Sequence, residues 1–209
     1  MRNHGKQGIM NASGCAGAGW SGSVRRFRGK EAGTMANLIV YFSHAGENWV
    51  NGQVVRLEKG NTFRAAEIIR DAVGGDLFEV RSKEPYPDDY QALVARTKEE
   101  FENGLRPELA EYPAGLDEYD LIFIGYPNWW NTMPGPVFTF LSHYDWSGRR
   151  LAPFCTNEGG SMGMGEREIG RLCRGAEVLP GLAVHGADVE TEKEKKRITD
   201  WAERIMHNA

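Results

Sequence analysis

The residues of this chain that could do chemistry fall into three short segments. In the first, Ser43-His44-Ala45-Gly46 follows an apolar run, Asn37 to Phe42 (NLIVYF), and Asn61-Thr62 opens a helical pattern further on. A strand that delivers backbone N–H groups and small hydroxyls to a helix N-terminus makes an anion cradle that needs no Lys or Arg, and the loop carries none before Arg56. The same four residues also suit an ordinary strand-to-helix turn. The second segment, Tyr126 to Pro134 (YPNWWNTMP), presents Pro127, Asn128, Trp129, Trp130, Thr132 and Met133. Paired Trp rings offer flat apolar faces for stacking, and serve as readily in a core or an interface. In the third, Thr156 to Gly165, glycines around Glu158, Gly159, Gly160 and Ser161 either let backbone approach a ligand closely or make a flexible loop.

These segments must be positioned by the elements between them. Thr62 to Val73 has Phe63, Ala66, Ile69 and Val73 on one face, with Asn61 as candidate N-cap and Gly74-Gly75 as the stop. Asp76 to Arg81 reads as a strand, and Pro85 and Pro87 then break the chain before Tyr90, Leu93, Val94, Thr97 and Phe101 recur at helical spacing. Leu121 to Gly125 (LIFIG) is a continuous apolar run of the kind covered on both faces. Pro134 and Pro136 open a short helix through Leu141, and Arg150 to Thr156 makes a fourth strand with Pro153 as a local defect. A weaker helix spans Glu166 to Leu172, a fifth strand lies near Glu177 to Val184, and Thr191-x-x-Glu194 is a capping box for the last helix. Strands alternating with helices imply an α/β fold: a doubly wound, five-stranded parallel sheet with helices on both faces. All three chemical segments then sit at strand carboxyl ends, where such folds bind ligands. Within the first, Asn51-Gly52 flanked by Trp49-Val50 and Gln53-Val54-Val55 reads as a hairpin with a type I′ turn inserted into the cradle.

A chain of 209 residues, 41% apolar and 26% charged, suits one α/β domain, expected over 35–209. Residues 1–34 are rich in Gly, Ser, Ala and Arg without a helical or strand period, as in a flexible, disordered leader. Met35 would be a natural start just before the first strand, so the leader is expected to be an upstream extension. Its G-x-G-x-x-G, Gly17 to Gly22, lacks the flanking strand and helix that a dinucleotide fingerprint requires. The net charge of −4 hides a leader with six Lys/Arg against one acid, leaving 19 basic against 28 acidic side chains in the rest. That acidic body argues against nucleic acid and favours basic protein partners. Cys15, Cys155 and Cys173 have neither a disulfide framework nor metal-ligand spacing, which with the lack of ~18 consecutive apolar residues places the expected protein in the cytoplasm, off the membrane and without a metal.

Taken together, strand, Ser43-x-x-Gly46, Gly60-Asn61-Thr62, Tyr126 to Pro134 and Cys155 to Ser161 (CTNEGGS) resemble the flavodoxin family, in particular a bacterial branch whose phosphate loop is split. The resemblance covers essentially Asn37 to the C-terminus. It implies sheet order 2-1-3-4-5 and one non-covalently bound FMN, with Ser43, His44, Ala45, Gly46, Asn61 and Thr62 holding the phosphate. Pro127, Asn128, Trp129, Trp130, Thr132, Met133, Thr156, Glu158, Gly159, Gly160 and Ser161 would clasp the ring. Older flavodoxins sandwich the ring with a Tyr in the loop after the fourth strand, whereas Thr156 to Gly165 has no aromatic. That departure implies an open ring face.

The expected function is therefore an FMN-dependent redox protein, either an electron carrier or an NAD(P)H- or quinone-linked oxidoreductase, working with a redox partner protein or a small-molecule electron donor or acceptor. No side chain is singled out as a catalytic acid or base, since a flavin does its own chemistry. The alternative is a regulatory or interaction module that kept the fold without the cofactor. A receiver-type phosphate enzyme would need acidic metal ligands after the first and third strands, where Ser43 and Pro127-Asn128 stand.

Overall fold

The computed structural model describes residues 36–207. The leader, its glycine run, Cys15 and the Met35 start lie outside them. Among the described residues eight strands, two of them the halves of one expected strand, and five α-helices follow the expected order.

β1 (Ala36–Tyr41) is the core of the sheet's first half: Leu38, Val40 and Phe42 point to one face and Ile39 and Tyr41 to the other, all buried. It pairs in parallel with β4 (Asp76–Glu79) on one side and β5 (Tyr119–Pro127) on the other. β6 (Arg150–Asn157) continues beyond β5. The expected fifth strand is two pieces, β7 (Glu177–Val178) and β8 (Leu182–His185), both paired with β6. The interruption falls opposite Ala152 and Pro153, where three residues, Leu179 to Gly181, face two. Pro153 and Pro180 have no N–H for the ladder, and the Gly181 N–H is drawn off to Glu166 Oε1 at 2.8 Å. The sheet order β4-β1-β5-β6-β7/β8 is the 2-1-3-4-5 arrangement once the hairpin is set aside.

The two faces bury separate cores. α1 (Asn61–Val73) and α5 (Glu192–His207) cover one face, with Ala65, Ala66, Ile69, Ile198, Trp201 and Ala202 packed on Ile39, Phe123 and Phe154. α3 (Gly135–Leu141) and α4 (Gly165–Leu172) lie on the other, where Val137, Phe140, Leu141 and Ile169 meet Val40, Ile122 and Ile124. Each such fully buried aliphatic or aromatic side chain contributes about 1.5–3 kcal/mol. α2 (Tyr90–Glu102) behaves differently, burying only Leu93, Thr97 and Glu100. Of the capping box, Thr191 Oγ1 accepts the Glu194 N–H at 3.3 Å, but the Glu194 carboxylate turns to Arg197 instead of reaching back.

Between β1 and α1 the chain leaves the sheet as a hairpin, β2 (Gly46–Val50) and β3 (Gln53–Leu57). Asn51 and Gly52 turn it with φ of 49° and 81°, the left-handed pair that a type I′ turn requires. This insertion splits the cradle and carries its own side chains to the mouth of the sheet.

Candidate functional site

The cradle closes through a glycine. Gly60 returns the chain so tightly that a Cβ on it would sit 2.2 Å from Ser43 Oγ and 2.4 Å from the His44 carbonyl oxygen. It is also the N-cap of α1, without a side-chain cap of its own, so Asn61 is the first helical residue and not the cap expected of it. The cap comes from across the split: Ser43 Oγ accepts the Phe63 N–H at 3.1 Å. An α-helix leaves its first N–H groups without internal acceptors, so those of Asn61 and Thr62 face out from the cradle. The Thr62 hydroxyl is buried against the Thr156 hydroxyl at 2.6 Å. Only one of the pair can donate to the other, and the second proton remains for another acceptor.

His44 is half-buried beside them. Burial pushes its pKa below the ordinary value against the opposing charge of Asp88, and its Nε2 is buried without a partner among the described residues. A neutral imidazole with an idle nitrogen, two free N–H groups and an idle hydroxyl proton make a donor set that contains no fixed cation.

The second segment forms a tight turn. Trp129 and Thr132 exchange backbone hydrogen bonds of 3.0 Å each way, and Trp130 and Asn131 take φ of 55° and 62° between them. For Asn this is tolerated, while a Trp in the left-handed region costs on the order of 1 kcal/mol. The two Trp rings do different work. Trp129 is half-buried and meets Phe42, Tyr86 and His44 edge-on, with centroids at 5.2, 5.4 and 6.1 Å. Trp130 is 38% exposed, stacks on Phe101 and donates its indole N–H to Thr97 Oγ1 at 3.1 Å.

Loop to loop, Asn128 Nδ2 donates to the Gly160 and Ser161 carbonyls at 3.1 Å each, and Asn157 Oδ1 accepts the Gly159 and Ser161 N–H groups. The third segment is thus a cinched loop fastened to the second. Glu158 departs from its expected place in this loop's backbone contacts. Its carboxylate spans outward, accepting the Asn51 N–H at the hairpin tip at 2.9 Å and the Ala187 N–H after β8 at 3.1 Å. The hairpin base is fixed at the start of α2, where Glu47 N–H donates to the Asp88 carbonyl, Glu47 Oε2 accepts the Tyr90 N–H and Arg56 pairs with Asp88 at 2.6 Å. The hairpin is a strap, held at its base by α2 and at its tip by Glu158.

Under the strap lies a cavity of ≈340 Å³, within the usual range for small-ligand sites. Ser43, His44, Asn61, Thr62, Pro127, Asn128, Trp129, Trp130, Thr156 and Glu158 all line it. Ala45, Gly46, Gly159, Gly160 and Ser161 do not; Ala45 is exposed and Gly46 begins β2. Thr132 lines a neighbouring cavity with Met133, whose side chain is buried in the core. The walls also include Asn48 and Trp49 from the strap, Tyr90, Leu93, Val94 and Thr97 from α2, and Asn157 and Gly186. Trp49 stacks on Tyr90 at 6.1 Å and 25°. The aromatic wall missing from the loop after β6 is therefore supplied by the hairpin. The helical stripe from Tyr90 to Thr97 was visible in the sequence but suits a core equally well, and nothing in the sequence pointed it at a cavity. Among the described residues no Lys or Arg lines this cavity, and Glu158 is its one carboxylate. Among the described residues no group of His, Cys, Asp and Glu could hold a metal ion, and no helix is long and apolar enough to cross a membrane.

A parallel sheet of order 2-1-3-4-5 with a cation-free cradle after its first strand defines a flavodoxin-like α/β protein. A family model described as flavodoxin matches residues 56–205, and the chain belongs to the flavodoxin family. No curated protein matches it. Among solved structures it is similar to a candidate flavoprotein of Bacteroides eggerthii, 27% identical with a TM-score of 0.65 over 82% of this chain and 98% of the other. A second, from Bacteroides uniformis, is also 27% identical, with a TM-score of 0.63 over 80% and 97%. A Lactobacillus acidophilus flavoprotein in complex with FMN shares the fold at 22% identity, with a TM-score of 0.54 over 77% and 99%.

Proposed function

We propose that this chain is an FMN-binding redox protein whose cofactor lies under the strap. The observation that carries the reading is one cavity joining a cradle of N–H and O–H donors to paired Trp residues at the ends of β1, β5 and β6. The donor set fits a phosphate ester: the Asn61 and Thr62 N–H groups lie at the positive end of α1, worth about 0.3–2 kcal/mol to an anion. The idle Thr62 or Thr156 proton and the unpartnered His44 nitrogen add to it. Trp129, Trp130 and Trp49 would hold and orient the flat ring, with stacking worth about 0.5–1.5 kcal/mol beyond area burial.

When bound, FMN supplies one- or two-electron transfer. The residues of the chain bind it, exclude water and set the electrostatics. Glu158 in the wall and the acidic body oppose further negative charge in the cavity, which lowers the potential at which electrons are accepted. The same acidity suits a basic redox partner protein, and a small-molecule electron donor or acceptor is the other class of partner. A cytoplasmic setting, away from membranes and nucleic acid, completes the proposal.

The visible spectrum of the purified protein tests it. Bands of oxidised flavin, released on denaturation, are expected. A colourless protein that fails to quench added FMN fluorescence would instead favour a cofactor-free regulatory module. Bleaching of the bands by NAD(P)H marks a reductase, and its absence a carrier.

A further inference from the structure

Beside the first cavity lies a second of ≈210 Å³, which shares Thr97, Trp129 and Trp130 with it. Its rim gathers Phe101, Leu105 and Trp130, three of the five large hydrophobic side chains exposed among the described residues. Scattered exposed apolar residues are ordinary, but a cluster around a concavity marks a binding surface.

The charges in this cavity are unequal in availability. Glu168 is paired with Arg171 at 2.9 Å, and Glu100 is occupied by Arg96 at 3.0 Å and by the Tyr86 hydroxyl at 2.5 Å. Arg106 makes no ion pair among the described residues. Its guanidinium lies 4.1 Å above the centre of the Phe138 ring and donates only to the Leu105 carbonyl, at 3.1 Å. Desolvation pushes its pKa down, as does the nearby Arg171, with Glu168 opposing them. A planar donor fork held over an aromatic ring without an ion pair can take a carboxylate. The apolar part of the wall includes Trp130, Phe101, Met133 and Phe138, beside the polar Thr97, Thr132 and Arg171. An apolar cavity of about 150 Å³ takes one benzene, so this one has room for a larger ring system. The main cavity, among the described residues, has one carboxylate and no Lys or Arg.

We propose that this second cavity binds a small planar aromatic carboxylate, its ring against the exposed Trp130–Phe101 pair and its carboxylate on Arg106. The site is separate from the cradle, and its ligand shares the Trp130 wall with the FMN proposed above. The proposal does not depend on that cofactor.

The test is a titration of the full-length protein with 2-naphthoate, followed by ligand and Trp fluorescence, with and without saturating FMN. One equivalent should bind in both conditions. Arg106→Met keeps the stem on Phe138 and removes the fork, and should weaken 2-naphthoate at least about tenfold while leaving neutral 2-naphthol within about twofold, as loss of a charge-assisted hydrogen bond requires. Phe101→Ser should weaken both ligands without changing the melting temperature appreciably. The proposal is overturned if 2-naphthoate does not bind the parent protein, if Arg106→Met binds it equally, or if FMN displaces it. Should the chain fail to bind FMN at all, the titration of the FMN-free protein still decides this site.

Discussion

Among the described residues, Glu158 is the side chain that hydrogen-bonds the strap's tip to the body of the protein, and its removal should unlatch the cavity without unfolding the sheet. Its carboxylate accepts two backbone N–H groups, from Asn51 and Ala187, and is 19% exposed. Hydrogen bonds to a charged acceptor are worth about 1.5–3 kcal/mol each when well shielded. Competition from water at this partly exposed site reduces the pair to about 2 kcal/mol, or about 30-fold in the opening equilibrium. In Glu158→Ala, amide exchange of Asn51 in the ligand-free protein should therefore quicken about 30-fold. The Glu47 amide, bonded to the Asp88 carbonyl at the strap's base, should keep its protection. Glu158→Gln retains one acceptor and should give about fivefold. Association and release of FMN should both accelerate in the alanine variant, changing affinity less than either rate, because a strap gates both directions. Unchanged Asn51 exchange in Glu158→Ala would refute the latch, and so would equal loss of protection at Glu47, which would show the whole hairpin unfolding instead.

The remaining expectations concern the cradle and the Trp turn. Trp129→Ala removes a ring packed against Phe42 and Tyr86 and should cost about 3 kcal/mol of stability by chemical denaturation. Trp130→Gly relieves a left-handed φ, so its stability should change by less than about 1 kcal/mol while FMN affinity falls roughly two- to tenfold by fluorescence titration. Equal effects of the two changes would contradict their separate roles. Gly60→Ala forces a Cβ into Ser43 Oγ and the His44 carbonyl, and should weaken FMN far more than riboflavin, which lacks the phosphate; parallel loss of both ligands would argue against the cradle. His44 has a folded pKa below the ordinary 6.5, so as pH falls the unfolded chain takes up its proton first. Stability should therefore decline as pH falls through the ordinary 6.5, and His44→Gln should flatten that part of the profile; an unchanged profile in the variant would exclude His44 as its source.

Local chemistry wrote much of this protein in readable form. The LIFIG run announces a strand buried on both faces because no polar side chain interrupts it, and β5 lies at the centre of the sheet. Asn51-Gly52 announces the hairpin because few other pairs accept two left-handed residues in succession. The position of the cradle follows as well, since a parallel sheet places the loops after β1, β5 and β6 at one edge. Boundaries were less legible where prolines act together: Pro153 and Pro180 are far apart in sequence, and only their approach across β6 and β8 divides the last strand.

What the sequence by itself determined is the order of the elements and a phosphate-suited loop without a cation, because strand propensity, turn residues and helix caps act over a few neighbours. Tertiary structure alone decided where side chains from distant segments face. Nothing local tells that Ser43 caps α1 across the inserted hairpin, that Trp129 packs edge-on while Trp130 lines two cavities, or that the α2 stripe lines a site. Nor does anything local tell that the Glu158 carboxylate reaches the tip of a hairpin 107 positions earlier in the chain. Those contacts depend on how the sheet twists and how the strap lies over it, and such geometry exists only once the whole chain has closed on itself.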